Sequence, residues 1–586
     1  MIQNNYFLDN SDLMLHFEEV IPWTEIITQY EGDFEDYKKF QETNDEKFSH
    51  APSDMDSALE YYKEILTSTG SIAGKSIAQN ASEMDKIGVK YENGKVIFPE
   101  IMNKIYKSYH ESGLLNFMLK KESGGLGLPV TVYNMIFEIV SRADISFVMT
   151  LAANTIAETI EKYGTLELKE KWIPKFLSSE YTGSMALTEP DYGSDLINLK
   201  TKAVKQPDGT YLLTGTKRFI THGCGMSNFP AILLTLARTG EPGSGARGIS
   251  FFVVDGKNVH ISGIERKMGI KSSPTCEVVY ENSPAEIIGE EGLGLTKYAL
   301  GLMNGARLAV GTLGVGLATA AYEEAKRYSG IREQFGKPIK EIPAVQKMLD
   351  RMEREIVAMR CLNMEAAHSM DKYIWATERM KEKGISEKEI RKDETIKYWE
   401  RISSLFTPIA KYYCTEMSNS IAYDAVQVHG GVGYTEEFDV ARIYRDARIL
   451  TIYEGTTQMQ IVAAIGGIVA GMAPNAYLKK YIDSLMKSFS PSKISQKILA
   501  LLEKAISLYK NLETKEKEYY AFEVVEIATK LLCGLLLEKS VEKLKDEEQK
   551  AKRRKIAFVY AKDSFSISQK NYMNLQLVNK EEVDFD

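Results

Sequence analysis

The sequence predicts a mainly α-helical protein with one β-rich domain in its middle, and three observations lead there. Apolar residues recur at three- and four-residue spacing from Met55 to about Leu177, and again from Leu293 to about Gly471. Between these stretches the chain breaks into short strand-like runs, TYLLTGTKRFIT, AILLTLAR, GISFFVVDG and TCEVVYEN, divided by Gly, Pro, Asn and Asp. At 586 residues the chain is also too long for a single core, so several domains are required.

Taken in order, residues 1–54 mix aromatic and acidic side chains without a sustained period and read as an extension lying on another part of the protein. Residues 55–182 form a helical domain. Within it VTVYNMIFEIVSRADISFVMTLAANTIAETIEKYG reads as helix throughout, and the glycines and proline of ESGGLGLP (Glu122 to Pro129) mark a break before it. Residues 183–290 form the β-domain, a compact antiparallel barrel or sandwich. Residues 291–474 are helical again, with a polar insert at Met380 to Glu394 that reads as a solvated hairpin or loop. Residues 475–586 add further helices, AFEVVEIATKLLCGLLLEKS having a strongly apolar face. The basic KAKRRK that follows it reads as a solvated helix.

Composition narrows the function. Apolar content of 44% and charged content of 26% suit a globular protein, and a net charge of -8 argues against general affinity for nucleic acid. The five cysteines carry no CxxC or metal-ligand spacing, so a reducing compartment and no metal site are expected. The N-terminus lacks the features of a signal peptide or organelle presequence, and a cytoplasmic location is expected. The longest nearly apolar run, Ile461 to Pro474, is too short to span a bilayer and predicts a buried helix, so no transmembrane segment is expected.

The stretch with most chemical content is RDARILTIYEGTTQMQ, Arg445 to Gln460. Glu454 sits between apolar Leu450, Ile452 and Tyr453 and small polar Gly455, Thr456 and Thr457. A carboxylate leaving an apolar run loses solvation once a ligand covers it, which raises its pKa toward that of a working general base. Gly455 permits close backbone approach, while Thr456, Thr457 and Gln458 offer hydrogen bonds. Met185 to Leu196, MALTEPDYGSDL, presents Thr188 and Ser194 around a Pro190–Gly193 turn. In TGTKRFIT, alternation predicts Phe219 and Thr221 on one face of a strand, suited to a flat ring with a hydrogen-bonding edge. Arg332 and Phe335 in GIREQFGKP offer paired hydrogen bonds and stacking. Gln427, Gly430 and Gly431 in VQVHGGVGYTEEF close a helix with bare backbone. Gly243, Gly245 and Gly248 match GxGxxG, but they join two strand-like runs and predict a hairpin loop, not a dinucleotide site.

The blocks MALTEPDYGSDL, KRFIT, REQFGKP, QVHGGVGY and RDARILTIYEGTTQMQ, in this order and approximate spacing, resemble the acyl-CoA dehydrogenase family over about Met55 to Met472. The resemblance implies the fold of that family: a helical domain, a central β-barrel and a four-helix domain, here with an additional C-terminal helical domain. It implies FAD as cofactor, with Glu454 at the position of the catalytic glutamate. Leu187, Thr188, Phe219 and Thr221 match flavin-contacting positions, Phe219 standing where tryptophan is usual. Arg332, Gln334, Phe335, Gln427, Gly430 and Gly431 match positions that reach the flavin of a neighbouring subunit, and Thr456 and Gln458 match positions near the flavin adenosine. Ser194, Arg307, Tyr453 and Gly455 match the surroundings of the acyl-CoA. Some members carry the base in the LMNGAR helix, where this chain has Ala306, so Glu454 is the only candidate that either arrangement offers. The implied reaction is α,β-dehydrogenation of an acyl-CoA to a trans-2-enoyl-CoA, with electrons passing to an electron-transfer flavoprotein. In some larger members an added C-terminal domain makes a second subunit layer unnecessary and gives dimers, so the resemblance favours a homodimer over a tetramer. An acyl-CoA oxidase and a flavoprotein of the alkylation-response type are the alternatives.

Overall fold

Residues 4–578 are described by a computed structural model. They fall into two units: residues up to Asp9 with Glu31–Ala306, and Asn10–Tyr30 with Arg307 onward.

In the first unit the Met55–Ile72 helix starts where it does because Asp54 and Ser57 form a reciprocal cap, each side chain accepting from the other's backbone amide. Gly70 in this helix and Gly74 just past its end admit the N-terminal segment. A Cβ on Gly70 would lie 2.6 Å from the Phe7 nitrogen, and one on Gly74 would lie 1.8 Å from the Asn4 carbonyl oxygen. The segment from Asn4 to Phe7 therefore lies against this stretch, and further along the extension forms short helices that its sequence did not announce, among them Trp23–Glu31 and Glu35–Thr43.

The continuous helix expected over 130–163 is divided into Val130–Ala143, Ile145–Asn154 and Ala157–Tyr163. Asp144 is extended and its carboxylate accepts the Ser146 amide at 2.9 Å, so it starts a new helix in place of continuing the old one. A hairpin, Lys90–Glu92 with Lys95–Ile97, turns on Asn93 and Gly94, both at positive φ.

The β-domain closes on itself. Ala231–Arg238 runs antiparallel to Ile249–Asp255, which pairs with Thr275–Ile287, then Tyr211–Thr221, then Lys202–Lys205, whose Lys202 meets Arg238 of the first strand. Thr182–Ala186 pairs with Ala231–Arg238 in parallel, so the barrel is mixed, not purely antiparallel. The parallel pairing follows from the long connection between these strands, which hairpin reasoning does not anticipate. The GSGARG segment lies between two antiparallel strands, as a hairpin loop should.

The second unit takes up the Leu300–Ile331 helix from Arg307 onward and adds the long helices Pro343–Glu382 and Glu394–His429, followed by Asp439–Leu450 and Thr457–Gly471. The segment Gly294–Ile331 is long and apolar enough to cross a membrane by length and composition, yet half of its most apolar window is buried in protein. A Cβ on Gly314 would come within 2.7 Å of the Cys414 carbonyl oxygen, so the first and third long helices touch backbone to backbone. That is the geometry of a packed bundle. The Thr457–Gly471 helix is not the buried one expected from its composition. Ile461, Ala464 and Ile468 face inward, but Val462 is 65% exposed.

The added helices Tyr477–Lys487, Lys493–Lys510, Ala521–Lys543 and Glu547–Leu577 are tied to the bundle by buried polar groups. Tyr413 donates to Glu355, its oxygen accepts from Lys530 at 3.1 Å, and the Tyr560 hydroxyl lies 2.8 Å away. The N-terminal helix Ser11–Leu15 is held in the same unit by Asp12, whose carboxylate pairs with both Arg360 and Arg553. Lys552, Arg554 and Lys555 are solvated, but Arg553 of the same basic run is buried in this clasp.

Candidate active site

Glu454 occupies a tight turn between the Asp439–Leu450 and Thr457–Gly471 helices, in the left-handed region at φ 56°, with Gly455 at φ 91°. A non-glycine residue held there stores strain that the surroundings must offset. They do so from several sides. Lys411, buried in the Glu394–His429 helix, donates to the carbonyls of Leu450 at 3.2 Å and Gly455 at 2.6 Å. Gln460 donates to the carbonyls of Glu454 at 3.3 Å and Gly455 at 3.0 Å. The Thr456 hydroxyl caps the helix that follows, and the Thr457 hydroxyl donates to Glu416.

The electrostatics of the turn follow from its burial. Burial pushes the Glu454 pKa up, against the pull of Arg307 and Lys411. Burial lowers Lys411 to about 8 although Glu454 favours its charge, and lowers Arg307 in the same way. The Tyr453 hydroxyl is buried with no hydrogen-bond partner among the described residues, and burial raises its pKa. Glu454, Arg307, Tyr453, Gly455 and Thr456 thus gather at one place in this unit, with Gln458 exposed on the next turn.

Arg332, Gln334 and Phe335 lie elsewhere. They form a small hairpin, Glu333–Gln334 with Lys337–Pro338, turning on Phe335 and Gly336 at positive φ, and the Phe335 ring is 91% exposed. Gly430 caps its helix at φ 63°, and a Cβ on Gly430 or Gly431 would meet open space. Tyr328 stacks on His429 with ring centroids 4.3 Å apart, so the hairpin and the Gln427–Gly431 turn share one end of the unit. Lys411 and His429 are 18 residues apart in one helix. That places the shared end about 27 Å along the helix from the Glu454 turn. Within one chain these two groups of residues do not meet.

In the first unit, a second buried lysine holds the other loop of interest. Lys217 donates to the Leu187 carbonyl and to the Glu189 carboxylate, both at 2.9 Å, and the Arg218 amide donates to the Thr188 carbonyl at 3.0 Å. Glu189 also accepts the amides of Lys200 at 2.7 Å and Thr201 at 2.9 Å. Burial lowers Lys217 to about 8, opposed by Glu189. Leu187 and Thr188 are thereby fastened to the strand that carries Phe219 and Thr221, while Ser194 is exposed beyond the turn. The regular alternation expected of that strand does not hold. A register shift falls between Lys217 and Ile220, and Phe219 sits at φ 62° with 55% of its surface exposed.

Lys217, Glu189 and Lys411 are the site-supporting residues that sequence reasoning missed. Lys411 had a signal, a lone charge inside the otherwise apolar run LFTPIAKYYC, whereas Lys217 beside Arg218 and Glu189 in the TEPDYG turn had none.

Family models described as acyl-CoA dehydrogenase N-terminal, middle and C-terminal domains match residues 60–180, 184–283, and 293–381 with 394–465. A 3-methylmercaptopropionyl-CoA dehydrogenase of Ruegeria pomeroyi is 34% identical over 439 residues, spanning 70% of this chain and 72% of that protein. An acyl-CoA dehydrogenase complexed with FAD from Bacillus anthracis is similar in structure at TM-score 0.74 and 23% identity, covering 90% of this chain and 89% of that one. A butyryl-CoA dehydrogenase from Megasphaera elsdenii is similar at TM-score 0.58 and 29% identity, covering 70% of this chain and 98% of that one. The first of these structures shares the fold well into the terminal extensions.

Proposed function

The chain belongs to the acyl-CoA dehydrogenase family, and from that premise we propose that it desaturates an acyl-CoA thioester between its α and β carbons, with Glu454 as the base. The observation that carries this reading is the Glu454 turn itself: a partly buried carboxylate of raised pKa, fixed by backbone clamps and facing Arg307 and Lys411. A thioester carbonyl acidifies the neighbouring CH, and a desolvated carboxylate can take that proton. Arg307 and Lys411 keep enough of the carboxyl ionised to accept it.

The residues present fit FAD as the cofactor. Phe219 and Phe335 offer aromatic faces that the chain's own core does not use, and Gly430 and Gly431 leave open space at a helix end. Leu187, Thr188, Phe219 and Thr221 would hold the flavin of their own subunit. Arg332, Gln334, Phe335, Gln427, Gly430 and Gly431 would serve that of a neighbour, and their distance from the Glu454 turn supports a homodimer. When bound, FAD supplies the hydride acceptor. An electron-transfer flavoprotein is the proposed partner that takes the electrons onward.

The test is a panel of acyl-CoAs with a dye acceptor, run on wild type and Glu454→Gln. Because the R. pomeroyi relative is named for a thioether substrate, the panel includes 3-methylmercaptopropionyl-CoA beside straight-chain and aromatic thioesters. The variant is expected to keep its flavin absorbance and to lose at least about 100-fold in kcat, the usual weight of a general base. Undiminished turnover would remove Glu454 from the mechanism.

A further inference from the structure

Lys411 lies mid-helix among Phe406, Ile409, Ala410 and Tyr412, all buried, where a charged group has no business unless something holds it. Its two acceptors are specific. Leu450 is the last residue of its helix, so its carbonyl has no partner within that helix, and a cation there also meets the negative end of the helix dipole. Gly455 directly follows Glu454. The single ammonium therefore spans the turn from one side of the carboxylate residue to the other. Gln460 grips only the far side, and it carries no charge.

We infer that Lys411 is the positioning residue of the Glu454 turn: its ammonium fixes the backbone on both sides of Glu454 and supplies a positive charge to that carboxylate. This rests on the reading of Glu454 as the base. The charged groups acting on Lys411 are Glu454, Arg307 and Glu416, the last already accepting the Thr457 hydroxyl. Arg307 remains as a second cation when Lys411 is changed, so the effect sought is a shift in Glu454 and not its full neutralisation.

The experiment is the pH dependence of kcat/KM for the FAD-loaded enzyme, with the best acyl-CoA from the panel and a dye acceptor, in wild type, Lys411→Met, Lys411→Arg and Glu454→Gln. Loss of the cation leaves burial less opposed, so the acid limb of Lys411→Met should move up by about one pH unit. Below that limb its rate relative to wild type falls about tenfold. Lys411→Arg keeps the charge without a point donor between the two carbonyls. Its acid limb should stay with wild type while kcat drops. Lys411→Gln, neutral but still a donor, carries the test if Lys411→Met does not accumulate, and it should shift like Lys411→Met. An unmoved acid limb in the neutral variant overturns the inference, as does an arginine variant that shifts equally far. If Glu454→Gln stays active, the base assignment fails; if it is inactive and the neutral Lys411 variant is unmoved, only the role of Lys411 fails.

Discussion

Replacing Lys217 by methionine tests whether one buried ion pair carries the loop that would meet the flavin. Methionine fills the lysine stem with no polar atom. The change takes the donor from the Leu187 carbonyl and leaves Glu189 a buried carboxylate without its cation, with the amides of Lys200 and Thr201 still donating to it. Removing one partner of a buried pair costs about 3–5 kcal/mol, because the remaining charge is neither solvated nor neutralised. For a unit larger than about 250 residues each kcal/mol lowers Tm by about 2 °C, so the loss should be about 6–10 °C. Thermal melts followed by circular dichroism measure it. The double variant Lys217→Met, Glu189→Gln removes the stranded charge and keeps an acceptor oxygen for one of the two amides, so it should regain part of the lost Tm. A single variant that melts with wild type, or a double variant no more stable than the single, refutes the reasoning.

Two further outcomes are expected. Asp12→Asn should lower the stability of its unit by about 3–5 kcal/mol, read from urea midpoints, because Arg360 and Arg553 would then share no anion. Acid should also weaken the fold at its histidines. Burial holds His16 at about 3 and His222 at about 4, against an ordinary value of 6.5, so both are neutral when folded. In the range between those values the unfolded chain binds the extra proton. Stability is therefore complete above about pH 6.5 and is lost as pH falls toward 4, by up to about 1.4 kcal/mol per pH unit for each histidine. His222 accepts from the Thr150 and Ser273 hydroxyls, roles that a glutamine can take over. His222→Gln should flatten the pH slope of urea unfolding in its unit.

Much of this architecture could be read from the chain because helices and strands announce themselves by period. The bundle, the β-domain and the glycine-ended helix at His429 all carried local signals. So did the Asn93-Gly94 hairpin, whose turn chemistry was overlooked inside a helical stretch. What escaped was of a different kind. The bulge at Phe219 depends on how two strands slide past each other, which a single strand does not encode. The pairing of Asp12 with Arg553 joins residues 541 positions apart, and no window of sequence contains both. The Glu454 turn was legible as a motif, but its stiffness was not, since Lys411 comes from another helix.

That distance along the chain has a consequence for how the protein is made. On a ribosome adding about 5–20 residues per second, Asp12 emerges roughly half a minute to two minutes before Arg553 exists. Phe17, Ile26 and Ile27, all buried at the end, have no finished surface to lie against during that interval. This early segment is thus among the last to settle, and nascent chains of this enzyme should engage a holdase chaperone until Arg553 has been made.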